Sequence, residues 1–368
     1  MIYLTVNDTP SGVYKSQVID VITELNQHLD QPIKLVALIS LRNFSANKKK
    51  ILDWYPNAVV KRMVPKLKNW KKNKAILSLI KGMRKDPVIA RGVMAFSLAN
   101  QINPQVVYDG RGGVKAELLE FPDMIPDKSV VESLIAAEKE AVLNSTFRIA
   151  VSNKLIEYWQ DEFGYKGSDH LVIPCTLTTS KTKAEQFDKE DHDVPYIVYA
   201  GSTAGWQSFE KVKRYLEFWI EKQNAKVLFL SNESNEIAEL IDKYPGQVER
   251  KWVPHEEVHK HLSWADYGIL LRDENTTNYV ASPVKFAEYL AAGLKVLISP
   301  NLGDYSALVE KENLGVIIDD NFIELPTVSE DEKFRLSKYA EENLTKQANQ
   351  KHFQELVKTI LSSTSINS

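Results

Sequence analysis

Short apolar strands alternate with helical segments along the whole chain, and one polar stretch divides this alternation into two halves. The first half opens on the apolar run Ile2–Val6 and the second on Tyr196–Ala200. Strands joined by helices pair in parallel, because a parallel pair needs a crossover long enough to hold a helix. The pattern therefore predicts an α/β protein with two Rossmann-like domains, each built on a parallel sheet.

The polar stretch covers residues 176–193 and contains few apolar side chains, which is typical of an interdomain linker. It places the N-terminal domain at residues 1–175 and the C-terminal domain at 194–328, followed by a strongly helical tail over 329–368. A chain of 368 residues is long enough to bury two separate cores.

Composition narrows the class of protein. A single cysteine, Cys175, excludes an internal disulfide and a cysteine-based zinc site, and it fits a reducing compartment. The chain starts directly as a strand, without the charged start and longer apolar core of a signal peptide. No apolar run approaches the roughly 18–20 residues that span a bilayer. We therefore expect a cytoplasmic protein.

Residues 42–91 form a basic segment within a chain whose net charge is only -3. This segment holds fifteen Lys or Arg and two acidic residues, and its densest part, Lys61–Lys74, interleaves seven cations with apolar side chains that include Trp70. It suits docking on an anionic membrane surface, at about 1 kcal/mol for each cation near the headgroups. The alternative is a solvated basic face. Nucleic acid is not expected as a partner, because a single patch without a recognised nucleic-acid module is weak evidence.

The stretch Asn278–Gly293 predicts a loop and a capped helix, and Val296–Ile298 predicts a buried strand after it. Ser282 is a good N-cap and Pro283 suits the first helical position, where a missing N–H costs nothing. Gly293 is placed to end the helix in a left-handed conformation.

Lys285 and Glu288 lie three residues apart, and therefore on one face of this helix near its N-terminus. That end presents unpaired N–H groups and a partial positive charge, which suit a diphosphate, and the lysine adds a full charge. The carboxylate could accept hydrogen bonds from two adjacent hydroxyls, such as those of a ribose. Alternatively, the two residues form an ordinary surface pair that contributes about 0.2–0.5 kcal/mol.

The pattern Ser-Pro-x-Lys-x-x-Glu-Tyr-x-Ala-x-Gly, followed by an apolar strand, resembles the nucleotide-sugar site of GT-B glycosyltransferases of the GT4-like group. The resemblance implies two Rossmann-like domains that face an interdomain cleft, with the tail 329–368 packing back on the N-terminal domain. It implies that Glu288 binds the ribose, and that Ser282 and Lys285 lie near the diphosphate. Many members carry a second glutamate eight residues earlier, where this chain has Val280.

The loop after Tyr196–Ala200 begins with Gly201, Ser202 and Thr203, whose small side chains suit a phosphate or a sugar. This loop lacks the Arg and Lys pair that many family members carry just after it. Lys285 and Arg272 are the candidates for the missing charge.

In the family, the backbone after a later strand contacts the nucleobase, and the corresponding residues here are Trp252, Val253 and Pro254. The Trp252 side chain itself is expected in the core. Gly12, between the first strand and its helix, either makes the turn or lets a ligand approach the backbone closely. GT-B enzymes have a glycine-bearing loop at this place.

Arg91 ends one predicted strand, and Asp109 and Arg111 lie at the end of the next, within the sequence Asp-Gly-Arg-Gly-Gly. Ligands of open parallel sheets bind beyond the carboxyl ends of the strands, so these side chains point at one crevice. Alternatively, Asp109 and Arg111 pair within a tight turn. The chain resembles a subset of GT4-like enzymes that build bacterial surface polysaccharides at three places: the strand end at Arg91, the sequence Asp109–Gly113, and Glu117. That resemblance implies that Asp109 or Arg111 lies at the reaction centre or acceptor mouth, where other members often have a histidine.

The resemblance as a whole implies a retaining glycosyltransferase. It would transfer a sugar from a nucleotide-diphosphate sugar to a hydroxyl of a glycan or lipid-linked glycan in bacterial cell-surface polysaccharide synthesis, at the inner face of the plasma membrane. The expected catalytic residues are Asp109, Arg111 and Lys285. No Asp-x-Asp motif occurs, and neither a metal nor another cofactor is expected. The alternatives are a nucleotide-sugar epimerase of the same fold, or a non-catalytic subunit that binds nucleotide or membrane.

Overall fold

The computed structural model describes residues 1–178, 193–201 and 208–365, in two compact units. One unit consists of Met1–Cys175 together with the chain from Asn349 onward, and the other of Thr176–Ala348. The expected linker, 176–193, lies largely outside the described residues. Its first residues belong to the second unit, because the Leu177 N–H donates to the Leu344 carbonyl oxygen (2.9 Å).

The first unit contains a parallel sheet of seven described strands in the order β3-β2-β1-β4-β5-β6-β7. The strands are β1 Ile2–Val6, β2 Lys34–Ile39, β3 Val59–Arg62, β4 Val88–Arg91, β5 Val106–Asp109, β6 Phe147–Ala150 and β7 His170–Val172. All of β1 and nearly all of β2 are buried, as expected for strands covered on both faces. Strand order reverses between β1 and β4, which is where sheets of this kind bind ligands.

The second unit repeats this order with six described parallel strands, β10-β9-β8-β11-β12-β13. They are β8 Tyr196–Ala200, β9 Lys226–Leu230, β10 Val248–Lys251, β11 Tyr267–Leu270, β12 Lys295–Ile298 and β13 Gly315–Ile317. The order reverses between β8 and β11. The two parallel sheets predicted from the sequence are thus confirmed.

Helices connect the strands in both units. In the first half of the chain these are α1 Gly12–Tyr14, α2 Asp20–Asn26, α3 Phe44–Trp54, α4 Lys74–Ser78, α5 Gly92–Asn100, α6 Val114–Glu120, α7 Lys128–Asn144 and α8 Asn153–Phe163. In the second half they are α9 Phe209–Gln223, α10 Asn235–Lys243, α11 His255–Leu262, α12 Thr276–Tyr279, α13 Val284–Ala291, α14 Gly303–Glu312, α15 Glu330–Asn343 and α16 Gln350–Ser365. Among the described residues, no helix is both long and apolar enough to cross a membrane.

The helical tail divides between the two units, which differs from the expectation that all of 329–368 packs on the first. Helix α16 does belong to the first unit, where Phe353 and Val357 enter the core beside α2. Helix α15 belongs to the second unit, because its Leu336 lies in that core and its Ser337 hydroxyl donates to the Ala291 carbonyl oxygen (2.9 Å). The tail therefore changes units at residue 349.

Candidate functional site

At the switch point of the second sheet the two neighbouring strands diverge, and one hydroxyl group forms hydrogen bonds with both of them. Strands β8 and β11 pair only at Tyr267–Ile197 and Gly268–Val198, and further on they no longer bond to each other. Beyond that point the Tyr289 hydroxyl, from α13, accepts from the Ala200 N–H (3.1 Å) and donates to the Ile269 carbonyl oxygen (3.2 Å). It thereby satisfies backbone groups that the diverging strands leave unpaired.

Helix α13 packs against the sheet at Gly268, where the absence of a side chain leaves space for the Tyr289 ring. A Cβ on Gly268 would lie 2.3 Å from the Tyr289 ring, so only glycine leaves room for this ring. At the other end of the helix, Gly293 has a φ of 80°, and the predicted left-handed stop is confirmed. The N-terminal half of α13, which carries Lys285 and Glu288, is thereby fixed beside the switch point.

The start of α13 differs from the prediction. The helix begins at Val284, Pro283 occupies the cap position, and no side chain caps the N-terminus. The Ser282 hydroxyl instead forms a 2.5 Å hydrogen bond with the Tyr305 hydroxyl of α14. The prediction of Ser282 as the N-cap is therefore wrong, because a partner from another helix competes for its hydroxyl.

Two cations lie close together at this switch point. Arg272 follows β11, and its backbone N–H donates to Ser299 Oγ (2.8 Å), which in turn donates to the Arg272 carbonyl oxygen (2.7 Å). Its Nη1 donates to Asn278 Oδ1 (3.2 Å), while Nε is buried without a hydrogen-bond partner in the described part of the chain. Lys285 Nζ lies 5.2 Å from the centroid of the Tyr199 ring of β8.

The pKa values of both cations are lowered. Burial is the main cause that takes the pKa of the Lys285 ammonium down to about 7, the charge of Arg272 lowers it further, and Glu288 opposes both. Burial also lowers the pKa of the Arg272 guanidinium to about 10. A lowered pKa means that the surroundings disfavour the charged form. A bound anion would favour the charged forms of both side chains, so the site is suited to an anionic group.

Glu288 is half-buried on α13, one turn after Lys285. Gly201 follows β8 with a φ of 143°, and its N–H donates to the Leu230 carbonyl oxygen (3.0 Å). Ser202 and Thr203 lie outside the described residues. The described switch-point group therefore comprises Gly201, Arg272, Lys285 and Glu288.

The lowered pKa of Lys285 predicts a pH dependence. Since its folded-state pKa lies below the unfolded value, the folded chain binds fewer protons between about pH 7 and 10.5, and its contribution to stability rises with pH across that window. A bound diphosphate favours the ammonium, so binding above about pH 7 takes up a proton. We expect the affinity for a nucleoside diphosphate to fall as the pH rises from about 7 to 9. Calorimetric titrations in buffers of different ionisation enthalpy would measure the proton uptake. If the affinity of Lys285→Arg depended on pH in the same way as that of the wild type, this prediction would be contradicted.

The expected nucleobase segment lies at the surface. Trp252 is 67% exposed, Pro254 is exposed, and Val253 packs partly against the core of the second unit. The prediction of a core position for Trp252 is therefore wrong. The physical reason is that β10, which precedes it, is an edge strand, so no further strand covers the residue that follows.

In the first unit, Arg91, Asp109 and Arg111 come together as predicted, and Asp109 and Arg111 form an ion pair. Arg111 Nε lies 2.8 Å from Asp109 Oδ1, and its Nη2 donates to Oδ2 (2.9 Å). The Tyr3 hydroxyl donates to the same Oδ2 (2.5 Å), and Arg91 Nη1 lies 4.0 Å from it. The Asp109 side chain is 1% exposed, so it is shielded from solvent.

The glycines around Arg111 make room for aromatic rings. A Cβ on Gly110 would lie 2.5 Å from the Trp159 ring, and one on Gly113 would lie 3.1 Å from the Tyr158 ring. These two glycines therefore serve packing within the unit. A Cβ on Gly112 would meet nothing within 4 Å, so this position alone leaves open space.

The remaining candidates of the first unit lie at helix starts. Gly12 is the first residue of α1, next to Ser11, whose Oγ accepts from the Tyr14 N–H (3.2 Å). Glu117 is half-buried on α6, and burial raises the pKa of its carboxyl. The start of α6 is capped from α7 by buried Glu138, which accepts from the N–H groups of Val114 (2.8 Å) and Lys115 (2.6 Å).

The basic segment lies mostly at the surface. All seven cations of Lys61–Lys74 are exposed, and none is ion-paired to a carboxylate in the part of the chain that the structure describes. Trp70, by contrast, is 1% exposed, because Asn73 donates to its carbonyl oxygen (2.7 Å) and folds the segment into a compact turn over the core. Trp70 is therefore not a surface group. The apolar side chain exposed next to the segment is Leu79, at 88%.

Among the described residues, no three His, Cys, Asp or Glu side chains are grouped so that they could hold a metal ion.

Sequence reasoning missed three residues that shape these sites. Tyr289 was visible within the motif, but nothing local indicates that its hydroxyl bridges two strands. Tyr3 lies within β1 and Asp8 follows that strand, and only the strand order β1-β4-β5 brings them to Asp109 and Arg91, respectively.

Comparison with known proteins gives structural matches only. No protein-family model matches the sequence, and no curated protein matches it. Among solved structures, a glycosyltransferase from Rickettsia africae superposes with a TM-score of 0.65 at 14% identity, covering 98% of both chains. The lipopolysaccharide outer core galactosyltransferase WaaB superposes with a TM-score of 0.63 at 13% identity, covering 99% of this chain and 100% of its own.

A putative UDP-N-acetylglucosamine 2-epimerase from Listeria monocytogenes is also similar, with a TM-score of 0.55 at 11% identity, covering 97% of this chain and 89% of its own. At such identities the likeness establishes the fold and not the activity. Two parallel α/β units in the same chain order, matched over almost the full length, show that the chain has the GT-B fold.

Proposed function

We propose that the protein is a retaining, metal-independent glycosyltransferase of the GT4-like group. It transfers a sugar from a nucleotide-diphosphate sugar to a hydroxyl of a glycan or lipid-linked glycan in bacterial cell-surface polysaccharide synthesis. The observation that carries the proposal is the pair Arg272 and Lys285, two partly desolvated cations beside Glu288 at the switch point of the second sheet. The GT-B fold and the lipopolysaccharide galactosyltransferase among the neighbours support it.

The second unit would hold the donor. The N–H groups at the start of α13, with Lys285 and Arg272, face a diphosphate, and Glu288 accepts hydrogen bonds from ribose hydroxyls. As the bond between the anomeric carbon and the phosphate oxygen breaks, negative charge grows on the leaving diphosphate. Preorganised cations in a partly water-excluded site stabilise that charge, and this electrostatic effect replaces a metal ion.

The first unit would hold the acceptor, near Arg91, Asp109 and Arg111. Asp109 is buried and paired with Arg111 and Tyr3, so its proposed role is to position Arg111 and Arg91 rather than to contact the substrate. Glu117 remains a further acceptor-side candidate. Retention of anomeric configuration is proposed from the resemblance in sequence.

The donor site can be tested by thermal shift with UDP, GDP, ADP, CMP and dTDP. A ligand that binds only the folded state stabilises it by about 2.7 kcal/mol at a hundredfold excess over its dissociation constant. We expect one nucleoside diphosphate to raise the melting temperature of the wild type, and Glu288→Ala to lose that shift. Glu310→Ala, an exposed glutamate on α14, is the matched control and should keep it. If no nucleotide shifts the wild type, the proposed donor site is wrong.

We further propose that the enzyme works at the inner face of the plasma membrane, docked through Lys61–Lys74. Exposed cations that no carboxylate of the described chain neutralises favour an anionic surface, and Leu79 offers an apolar side chain for the interface. Buried Trp70 does not take part. Nucleic acid is not proposed as a partner.

Membrane docking through Lys61–Lys74 predicts a loss of vesicle binding that depends on which lysines are replaced. Replacing Lys66, Lys68, Lys71 and Lys72 with Gln should lower binding to phosphatidylglycerol-containing vesicles by up to about a thousandfold, at about 1 kcal/mol per cation. Co-sedimentation would measure it. Replacing the exposed Lys222, Lys226, Lys311 and Lys358 instead should have little effect. Equal loss in both sets would mean that net charge, and not this segment, drives binding.

An epimerase is the second candidate, because a putative nucleotide-sugar epimerase shares the fold. An epimerase converts its nucleotide sugar without an acceptor, whereas a transferase releases nucleoside diphosphate in proportion to the acceptor. Chromatography of the nucleotide sugar after incubation with and without acceptor distinguishes the two. Tight nucleotide binding without either product would indicate a non-catalytic subunit.

A further inference from the structure

A row of polar residues crosses the switch point of the first sheet. Thr5 of β1 is in register with Arg91 of β4, and Arg91 is in register with Asp109 of β5. Residues in register on adjacent parallel strands point to the same face, so these side chains form one continuous row. The Tyr14 hydroxyl of α1 extends the row through a 3.1 Å hydrogen bond with Thr5 Oγ1.

Asp8 stands at the open side of this row. It follows β1 by two residues, and its Oδ2 lies 3.3 Å from Arg91 Nε across the switch point. That oxygen is shielded from solvent, while the side chain as a whole is 36% exposed. Asp8 therefore combines an ion pair with Arg91 and a side chain that partly reaches solvent.

The two carboxylates at this switch point differ in what they can accept. Asp109 is 1% exposed and already accepts from Tyr3 and Arg111. Asp8 has one charged partner and a side chain that is partly exposed. An incoming hydroxyl can therefore bond to Asp8 and not to Asp109.

The charges at this place indicate a neutral ligand. Asp8 and Arg91 balance each other, and Asp109 and Arg111 do the same, so the group has no net charge to attract an ion. Arg91 Nη1 has no hydrogen-bond partner in the described part of the chain. That nitrogen is itself shielded from solvent, so the group that faces a ligand is the Asp8 carboxylate, which can accept a hydrogen bond from a carbohydrate hydroxyl.

We propose that Asp8 binds the acceptor, by accepting a hydrogen bond from a carbohydrate hydroxyl, and that Arg91 positions it. This inference rests on the proposed function and adds to it the residue that recognises the acceptor. Asp109 and Arg111 keep Arg91 in place behind Asp8. Burial raises the pKa of the Asp8 carboxyl, and the charge of Arg91 opposes that rise.

Saturation-transfer NMR with a panel of methyl glycosides tests the proposal on the full chain. The panel contains the methyl glycosides of glucose, galactose, mannose and N-acetylglucosamine. We expect at least one to receive saturation from the wild type, and Asp8→Asn to reduce that signal at least about fivefold. Asp30→Asn, an exposed aspartate of the same unit, is the matched control and should retain it.

A signal that persists in Asp8→Asn, or its absence from the wild type for the whole panel, overturns the proposal. Asparagine has nearly the same shape as aspartate, so we expect the melting temperature to match that of Asp30→Asn. If it does not, Asp8→Ser replaces it, with the same expected loss. The thermal shift with nucleoside diphosphate should be equal in wild type and Asp8→Asn. Glycoside binding that depends on Asp8 in a protein that binds no nucleotide would refute the proposed transferase and leave this inference standing.

Discussion

Replacing Lys285 with Met should lower turnover by about 10²–10³-fold, the usual cost of removing one preorganised group that stabilises charge in the transition state. Lys285 lies in the first turn of α13, and burial lowers the pKa of its ammonium, so its surroundings disfavour the charged form. Such a cation gains most when negative charge develops beside it. The rate of nucleoside diphosphate release, from the nucleotide sugar whose nucleotide gives the thermal shift, measures the effect.

The melting temperature of Lys285→Met distinguishes a loss of turnover from a loss of folded protein. Because burial disfavours the Lys285 ammonium, an apolar side chain of similar length should leave the melting temperature unchanged or raise it. Lys311→Met, an exposed lysine of α14, is the control for a lost charge and should keep normal turnover. Normal turnover in Lys285→Met would show that the diphosphate is stabilised elsewhere.

Replacing Asp109 with Ala should lower the free energy of unfolding by about 3–5 kcal/mol, the cost of breaking a buried ion pair by removing one partner. Asp109 is 1% exposed and receives both Arg111 and Tyr3, so its loss leaves a guanidinium and a hydroxyl without their acceptor. Guanidinium denaturation followed by circular dichroism would measure the change. Asp123→Ala, at an exposed position of the same unit, should have little effect.

A double variant shows whether the loss of stability comes from leaving the charge of Arg111 buried without its partner. Asp109→Ala combined with Arg111→Met removes both ions, and should recover a large part of the lost stability. Unchanged stability in Asp109→Ala together with lost turnover would give a different result: Asp109 would then act on the substrate, as the sequence pattern suggested.

The sequence was a good guide to local structure. Alternating apolar strands and helices predicted two parallel sheets, and the left-handed stop at Gly293 followed from glycine's lack of a Cβ. It was a poor guide to exposure at single aromatic positions. Trp70 is buried within a basic segment and Trp252 is exposed after the edge strand β10, because burial depends on which elements cover a residue.

The sequence by itself determined the two α/β units and the helix that carries Lys285 and Glu288, since strand and helix periodicity and glycine turns are local properties. Only the tertiary structure decided which side chains meet. Asp8 faces Arg91 because β1 and β4 are neighbours, although their residues lie more than eighty positions apart. Tyr289 bridges β8 and β11 because Gly268 leaves space for its ring. Strand order and close packing depend on the whole chain, and no local window of sequence contains them.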